Sequence, residues 1–331
     1  MAKQKVSKVV ITWAGPDWRP RIEASLRRPE FAHLAVVFCQ DRADVLREIR
    51  DAEVVFATTF DAGLLQAAER LQWIHLMKGG VDNTLFTELI VSPVMVTCLK
   101  DLFTAPGAEF ALMAMLLVQR RMTWSVGRPK LAQSSSPLDL SLKPQDLDGR
   151  TVAILGLGNI GHRVAELSRA FGVRVLGMAR RAPADAALLD AFYPPEKAGE
   201  MLAQADFVVV ALPFTPETKG CFGAQTLGTI KLGGWLIDVS GRPALIDYAA
   251  LRAALDSGRL GGVFLQPCGT QCPEVPGPND DFWLRENVVV SPCRCVSTEQ
   301  QENSVGFFSE NLRRFESGQP LRGLVDKAAG Y

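Results

Sequence analysis

Histidine and tyrosine are scarce in this chain, three of each among 331 residues, and neither sign of charge is in excess, with 36 Lys and Arg against 36 Asp and Glu. Balanced charge leaves no basic footprint for nucleic acid or an anionic membrane surface. Long apolar runs are also missing. The longest, residues 110–118, is nine residues, about half of what a bilayer crossing needs. Residues 9–13 follow Lys3, Lys5 and Lys8, but they are too few for a signal peptide and no small-residue cleavage site comes after them. They read as a first strand, and the protein as cytoplasmic. Seven cysteines, an odd number in a long chain, argue against a disulfide framework. What is present is a folding composition, 47% apolar and 22% charged, long enough for two domains.

Short β-rich runs at residues 9–13, 34–39, 53–58, 72–77 and 94–98 alternate with amphipathic stretches at 41–50 and 61–70, the pattern of a parallel sheet with crossover helices. A long apolar helix is expected over 108–122. Residues 124–149, broken by Ser134-Ser135-Ser136-Pro137 and Lys143-Pro144, read as a linker or arm. A second alternating series follows the Asp148-Gly149 turn, with strands at 151–155, 173–178, 207–212, 235–239, 262–265 and 288–291. Six strands make a complete doubly wound dinucleotide fold. Thr298 and Gln301 form a capping-box pattern ahead of a last helix, whose Val305, Phe308, Leu312 and Phe315 share one face.

Between the strand at 151–155 and the next helix stands Gly156-Leu157-Gly158-Asn159-Ile160-Gly161, a G-x-G-x-x-G motif in its proper context. Gly156 makes the tight turn, Gly158 lets backbone approach a pyrophosphate, and Gly161 lets helix and strand pack, with the first-turn amides facing the phosphates. The following strand ends Met178-Ala179-Arg180-Arg181, where an NAD enzyme offers an Asp or Glu to the ribose hydroxyls. Ala179 leaves room for a 2′-phosphate, and Arg180 and Arg181 supply charge-assisted hydrogen bonds to it. The expected cofactor is therefore NADP(H); the alternative is a solvated arginine pair at a strand end.

Several segments together resemble the D-isomer-specific 2-hydroxyacid dehydrogenases: Lys78-Gly79-Gly80-Val81-Asp82, Thr104-Ala105-Pro106-Gly107-Ala108-Glu109-Phe110, the glycine motif, Leu212-Pro213-Phe214-Thr215-Pro216-Glu217-Thr218, Gly258-Arg259-Leu260-Gly261-Gly262 and Pro320-Leu321-Arg322. The resemblance covers essentially the whole chain. It implies an α/β fold of two doubly wound parallel-sheet domains: a Rossmann NADP-binding domain, 105–296, inserted into a smaller flavodoxin-like substrate domain, 1–104 plus 297–331. It also implies a cleft between them and a homodimer. Leu212, Pro213, Thr218, Asp238 and Gln266 join Gly156, Gly158, Asn159, Ile160, Gly161, Arg180 and Arg181 as expected cofactor-binding positions. Lys78, Gly79, Gly80 and Lys100 are the expected substrate-binding ones, with Gly79 and Gly80 offering backbone amides to a carboxylate.

The catalytic positions depart from that family, which polarises the substrate carbonyl with an Arg and protonates it with a His tuned by a Glu. Its Arg-Gly pair is exchanged in Asp238-Val239-Ser240-Gly241-Arg242-Pro243. Counting forward from Asp238 puts Gly241 at the arginine position, and counting back from Asp247 puts Arg242 there. Gln271 stands where the Glu is expected, and Pro292-Cys293 replaces Pro-His. His33, His75 and His162 all lie elsewhere. Arg242, Gln271 and Cys293 are thus the candidate catalytic residues, Cys293 acting as an acid through a thiol of ordinary pKa about 8.5. Two other readings stay open: a non-catalytic NADP-binding sensor or scaffold, and a metal or redox site made by Cys268, Cys272, Cys293 and Cys295.

Overall fold

The computed structural model describes residues 5–12, 18–81, 84–125, 143–183, 185–266, 275–291 and 298–331. The chain divides into two compact units, Met1–Phe103 with Val296–Tyr331, and Thr104–Cys295.

The first unit is built on β1 (Lys8–Ile11), β2 (Ala35–Phe38), β3 (Val54–Ala57), β4 (Trp73–Leu76) and β5 (Met95–Cys98). All are parallel, in the order β2-β1-β3-β4-β5, which is the flavodoxin-like order. Each residue of β3 and β4 is buried, as a parallel sheet covered by helices on both faces requires. Asp41 and Asp61 start the helices Arg42–Glu48 and Ala62–Ala67, their carboxylates accepting from Asp44 N at 2.8 Å and Leu64 N at 3.1 Å. The last helix, Thr298–Ser317, returns to this sheet and buries Val305, Phe308, Leu312 and Phe315 against Trp73 and Phe56.

The second unit carries β6 (Thr151–Leu155), β7 (Arg174–Met178), β8 (Ala191–Tyr193), β9 (Phe207–Val210), β10 (Gly234–Asp238), β11 (Leu260–Leu265) and β12 (Val288–Val290). They form one parallel sheet, ordered β12-β11-β10-β9-β6-β7-β8. The sheet has seven strands, not six. The addition is β8, a three-residue edge strand pairing with β7 through Leu176 to Met178. From β8 inward this is the Rossmann order with one strand added beyond it.

The long apolar helix runs Thr104–Gln119, beginning four residues earlier than its periodicity suggests. With the turn before it, the helix is long and apolar enough to cross a membrane. Its Ala108, Phe110, Ala111, Ala114, Met115 and Val118 are instead packed on β6, β9 and the glycine-motif helix Asn159–Ala170. Gly149, at φ 72°, makes the turn into β6. Most of the arm at 124–149 lies outside the described residues.

Candidate functional site

The chain runs outward from β6 to β7 and β8, then returns to lay β9 and β10 on the other side of β6. The crevice at the carboxyl ends of β6 and β9 is the switch point where doubly wound sheets bind ligands. The loops converging there are 156–161 after β6, 179–181 after β7, 211–218 after β9, 239–242 after β10, and Gln266 after β11.

The glycine loop is sterically specified. Gly156 has φ 98°, and a Cβ there would stand 2.5 Å from the Ala211 carbonyl oxygen. A Cβ on Gly161 would fall 1.9 Å from the Gly156 oxygen, whereas one on Gly158 would meet nothing within 4 Å. Two glycines therefore serve the fold, while the third leaves open space over a helix N-terminus that has no side-chain cap. That is the cradle a pyrophosphate fills. Ile160 packs toward Gly107, where a Cβ would be 3.1 Å from its methyl group. The residues present fit a dinucleotide.

Ala179 is half-buried, and Arg180 and Arg181 are exposed. Glu217, in the loop after β9, is held below its usual carboxylate range, chiefly by a hydrogen bond with Thr215 and in part by the Arg180 charge. Arg180 thus lies within electrostatic reach of the 212–218 loop. That loop is fixed by Thr218, whose Oγ1 donates to the Pro213 oxygen at 2.8 Å and accepts from Thr215 N at 2.8 Å. Leu212 packs against the core beneath it.

Asp238 ends β10 fully buried; desolvation pushes its carboxyl up to about 6, against hydrogen bonds from Ser240 and the Arg242 charge. Ser240 donates to its Oδ1 from both N (2.8 Å) and Oγ (2.5 Å), and Arg242 N donates to Ser240 Oγ at 3.0 Å. Ser240 therefore links the buried acid to the loop carrying Arg242. Its signal in the sequence was its place two residues after an aspartate, the spacing of an Asx-turn. Gly241 has φ 64°. The position reached by counting forward from Asp238 thus holds a left-handed backbone and no side chain. Arg242, half-buried, is the arginine of this loop. Gln266, 3% exposed, follows β11 directly.

In the first unit, Lys78 Nζ bonds Thr84 Oγ1, and Lys78 O accepts from Leu99 N at 2.9 Å, so the segments after β4 and β5 lie together. A Cβ on Gly79 would be 2.6 Å from the Phe103 ring. Gly80 follows it in the same turn. Lys100 is committed within the unit, its ammonium donating to the Leu324 carbonyl at 2.7 Å.

The histidines are all engaged elsewhere. His33 pairs with Glu316 at 2.7 Å and His162 with Glu166 at 3.4 Å, while His75 is wholly buried under the last helix. Gln271, Cys268, Cys272, Cys293 and Cys295 lie outside the described residues. Among the described residues no group of three His, Cys, Asp or Glu is placed to hold a metal.

A switch-point cradle of this kind defines a dinucleotide-binding domain. The family model "D-isomer specific 2-hydroxyacid dehydrogenase, NAD binding domain" matches residues 112–293, and the chain belongs to that family. The glyoxylate reductase of Thermococcus gammatolerans is 28% identical over 298 residues, 86% of each chain. The NADPH-dependent glyoxylate/hydroxypyruvate reductase of Sinorhizobium meliloti, solved with NADP and sulfate, is 25% identical with a TM-score of 0.79, over 98% of this chain and 100% of that one. A D-isomer specific 2-hydroxyacid dehydrogenase from Xanthobacter autotrophicus, solved with NADPH and MES, is 25% identical with a TM-score of 0.78 at the same coverage.

Proposed function

We propose that the protein is an NADPH-dependent reductase of 2-keto acids or closely related carbonyl compounds, working as a homodimer in the cytoplasm. The observation that carries this reading is the intact glycine cradle followed, after β7, by Ala179-Arg180-Arg181 in place of an acid. The two relatives solved with NADP and NADPH support the same choice.

The bound dinucleotide supplies the hydride. Lys78 and the Gly79 and Gly80 amides hold the substrate carboxylate. Arg242 faces the carbonyl oxygen and stabilises the negative charge that develops there, the contribution for which preorganised donors count most. Cys293 would give its thiol proton to that oxygen, with Gln271, at the position where the family has its Glu, unable to tune the donor by charge. Asp238, through Ser240, fixes the loop from which Arg242 acts.

NADPH oxidation with glyoxylate, hydroxypyruvate and larger 2-keto acids tests the reading. Turnover is expected on at least one of them, with Arg242→Ala lowering kcat/KM about 100-fold and Cys293→Ala flattening the alkaline limb of the pH profile. Turnover indifferent to Arg242→Ala sinks the assignment of that residue. Tight NADPH binding without turnover on any substrate favours a non-catalytic NADP-binding protein, a reading supported by the bare, left-handed backbone at Gly241.

A further inference from the structure

At the amino ends of β6, β9 and β10, the opposite edge of the sheet from the glycine cradle and about 15 Å from it, lies a cavity of ≈ 180 Å³. Gln119, Arg121, Gln145, Arg150 and Asp206 supply its polar lining. Its charges are unevenly used. Asp206 accepts from Thr151 N at 2.9 Å and pairs with Lys231 at 2.6 Å, so its carboxylate already serves the sheet. Arg150 donates to Gln145 Oε1 at 3.1 Å and to the Asp146 carbonyl at 3.3 Å, and Arg120 takes the Asp146 carboxylate at 3.3 Å.

Arg121 and Gln119 are the exceptions. The Arg121 Nε is buried without a hydrogen-bond partner, and among the described residues its guanidinium makes no ion pair. The Gln119 side chain is 5% exposed and makes no hydrogen bond among the described residues. Arg121 is also the single non-glycine residue described at positive φ, 55°. It closes the helix Thr104–Gln119 at a position where glycine is the relaxed choice. An arginine there carries backbone strain and holds one buried, unpartnered N–H, an expensive group to leave unmatched, beside an open-mouthed cavity.

We infer that this pocket binds a small oxyanion, a carboxylate or phosphate group, held by the Arg121 guanidinium with the Gln119 amide as a second donor and Arg150 at the rim. The guanidinium fork suits either anion. The site is independent of the dinucleotide cradle and does not rest on the reading of the reaction.

Isothermal titration of the full chain with inorganic phosphate and, separately, with malonate, at fixed ionic strength and with NADP present or absent, tests it. Saturable binding of at least one anion is expected in both conditions, weakened about tenfold or more by Arg121→Gln and Arg121→Gly. Arg121→Gly relieves the strained φ, so its melting temperature without anion should match or exceed that of the parent while its anion-dependent stabilisation disappears. Binding of one anion alone identifies the group the site takes. Absence of saturable binding, or binding unchanged in both Arg121 variants, overturns the proposal and leaves a water-filled pocket.

Discussion

Each parallel sheet carries a side chain that is sealed from solvent and would titrate in the acid range, His75 in the middle of β4 and Asp238 at the carboxyl end of β10. Burial disfavours the charged form of both, pushing His75 down to about 3 and Asp238 up to about 6. His75 packs among Trp73, Phe307 and Phe308 with one polar partner, Thr97 Oγ1, at 2.8 Å. That hydroxyl also accepts from Trp73 Nε1 at 2.8 Å, and His75 Nε2 is buried without a hydrogen-bond partner. Asp238 instead meets donors from Ser240 and a cation nearby, which keep its titration close to neutrality. A group buried in mid-strand is withdrawn from chemistry. One buried at the end of a strand, with donors from the next loop, stays able to respond.

The same contrast holds for the glycines at the strand ends, and it sets the largest expected effect. Gly161→Ala drives a methyl group onto the Gly156 backbone oxygen, which cannot move without opening the loop. It should cost about 4 kcal/mol or more in denaturant unfolding and abolish dinucleotide binding. Gly79→Ala meets the Phe103 ring, which can turn aside, and should cost about 1–3 kcal/mol. Gly158→Ala, with open space around its Cβ, should leave stability unchanged and still weaken dinucleotide binding. Equal losses in all three would break the distinction between glycines kept for packing and the one kept for a ligand.

The two buried groups should bend the pH profile in opposite directions. For His75, the folded value of about 3 lies below the unfolded 6.5. Stability from it is complete above pH 6.5 and is lost as pH falls, by about 3 kcal/mol at pH 4.5. For Asp238, the folded value of about 6 lies above 3.8. Its contribution is complete below pH 3.8 and is lost as pH rises through 6, over a span of order 3 kcal/mol at most. Urea unfolding of His75→Gln and Asp238→Asn from pH 4.5 to 8, each subtracted from the parent, should give slopes of opposite sign. Parallel difference curves would mean that one of the two side chains is not sealed.

The parts legible in the sequence were those whose requirements are local. Strands such as β3 and β9 announce themselves as short apolar runs, and the glycine motif as spacing around a turn. β8 went unread because Ala191–Tyr193 is too short to show periodicity and is held only by its pairing with β7. The hydrogen bond from Lys100 to the Leu324 carbonyl could not be read either, because the two residues are 224 apart in the chain. At Gly241 and Arg242 two ways of counting competed, and the left-handed backbone of Gly241 is a feature that neither count could read. The Arg121 pocket has no motif at all, since its lining comes from separate segments around residues 119, 145, 206 and 233.

The smallest effects concern the β7 arginines, where the second unit's machinery is most exposed to solvent and salt. Arg181 makes no ion pair among the described residues, whereas Arg180 lies within the electrostatic reach of Glu217. If both face a 2′-phosphate, Arg181→Ala should reduce the preference for NADPH over NADH about tenfold, one charge-assisted contact. Arg180→Ala should reduce it less, because Glu217 already offsets part of that charge. Glu217→Gln should then raise NADPH affinity by no more than about threefold, an effect that fades as salt screens an exposed pair. Nicotinamide fluorescence titrations at low and high ionic strength read all three. Equal affinities for the two dinucleotides in the parent chain would show that these arginines point away from the phosphate, and the contrast with the sterically fixed glycine cradle would then mark where dinucleotide selection stops.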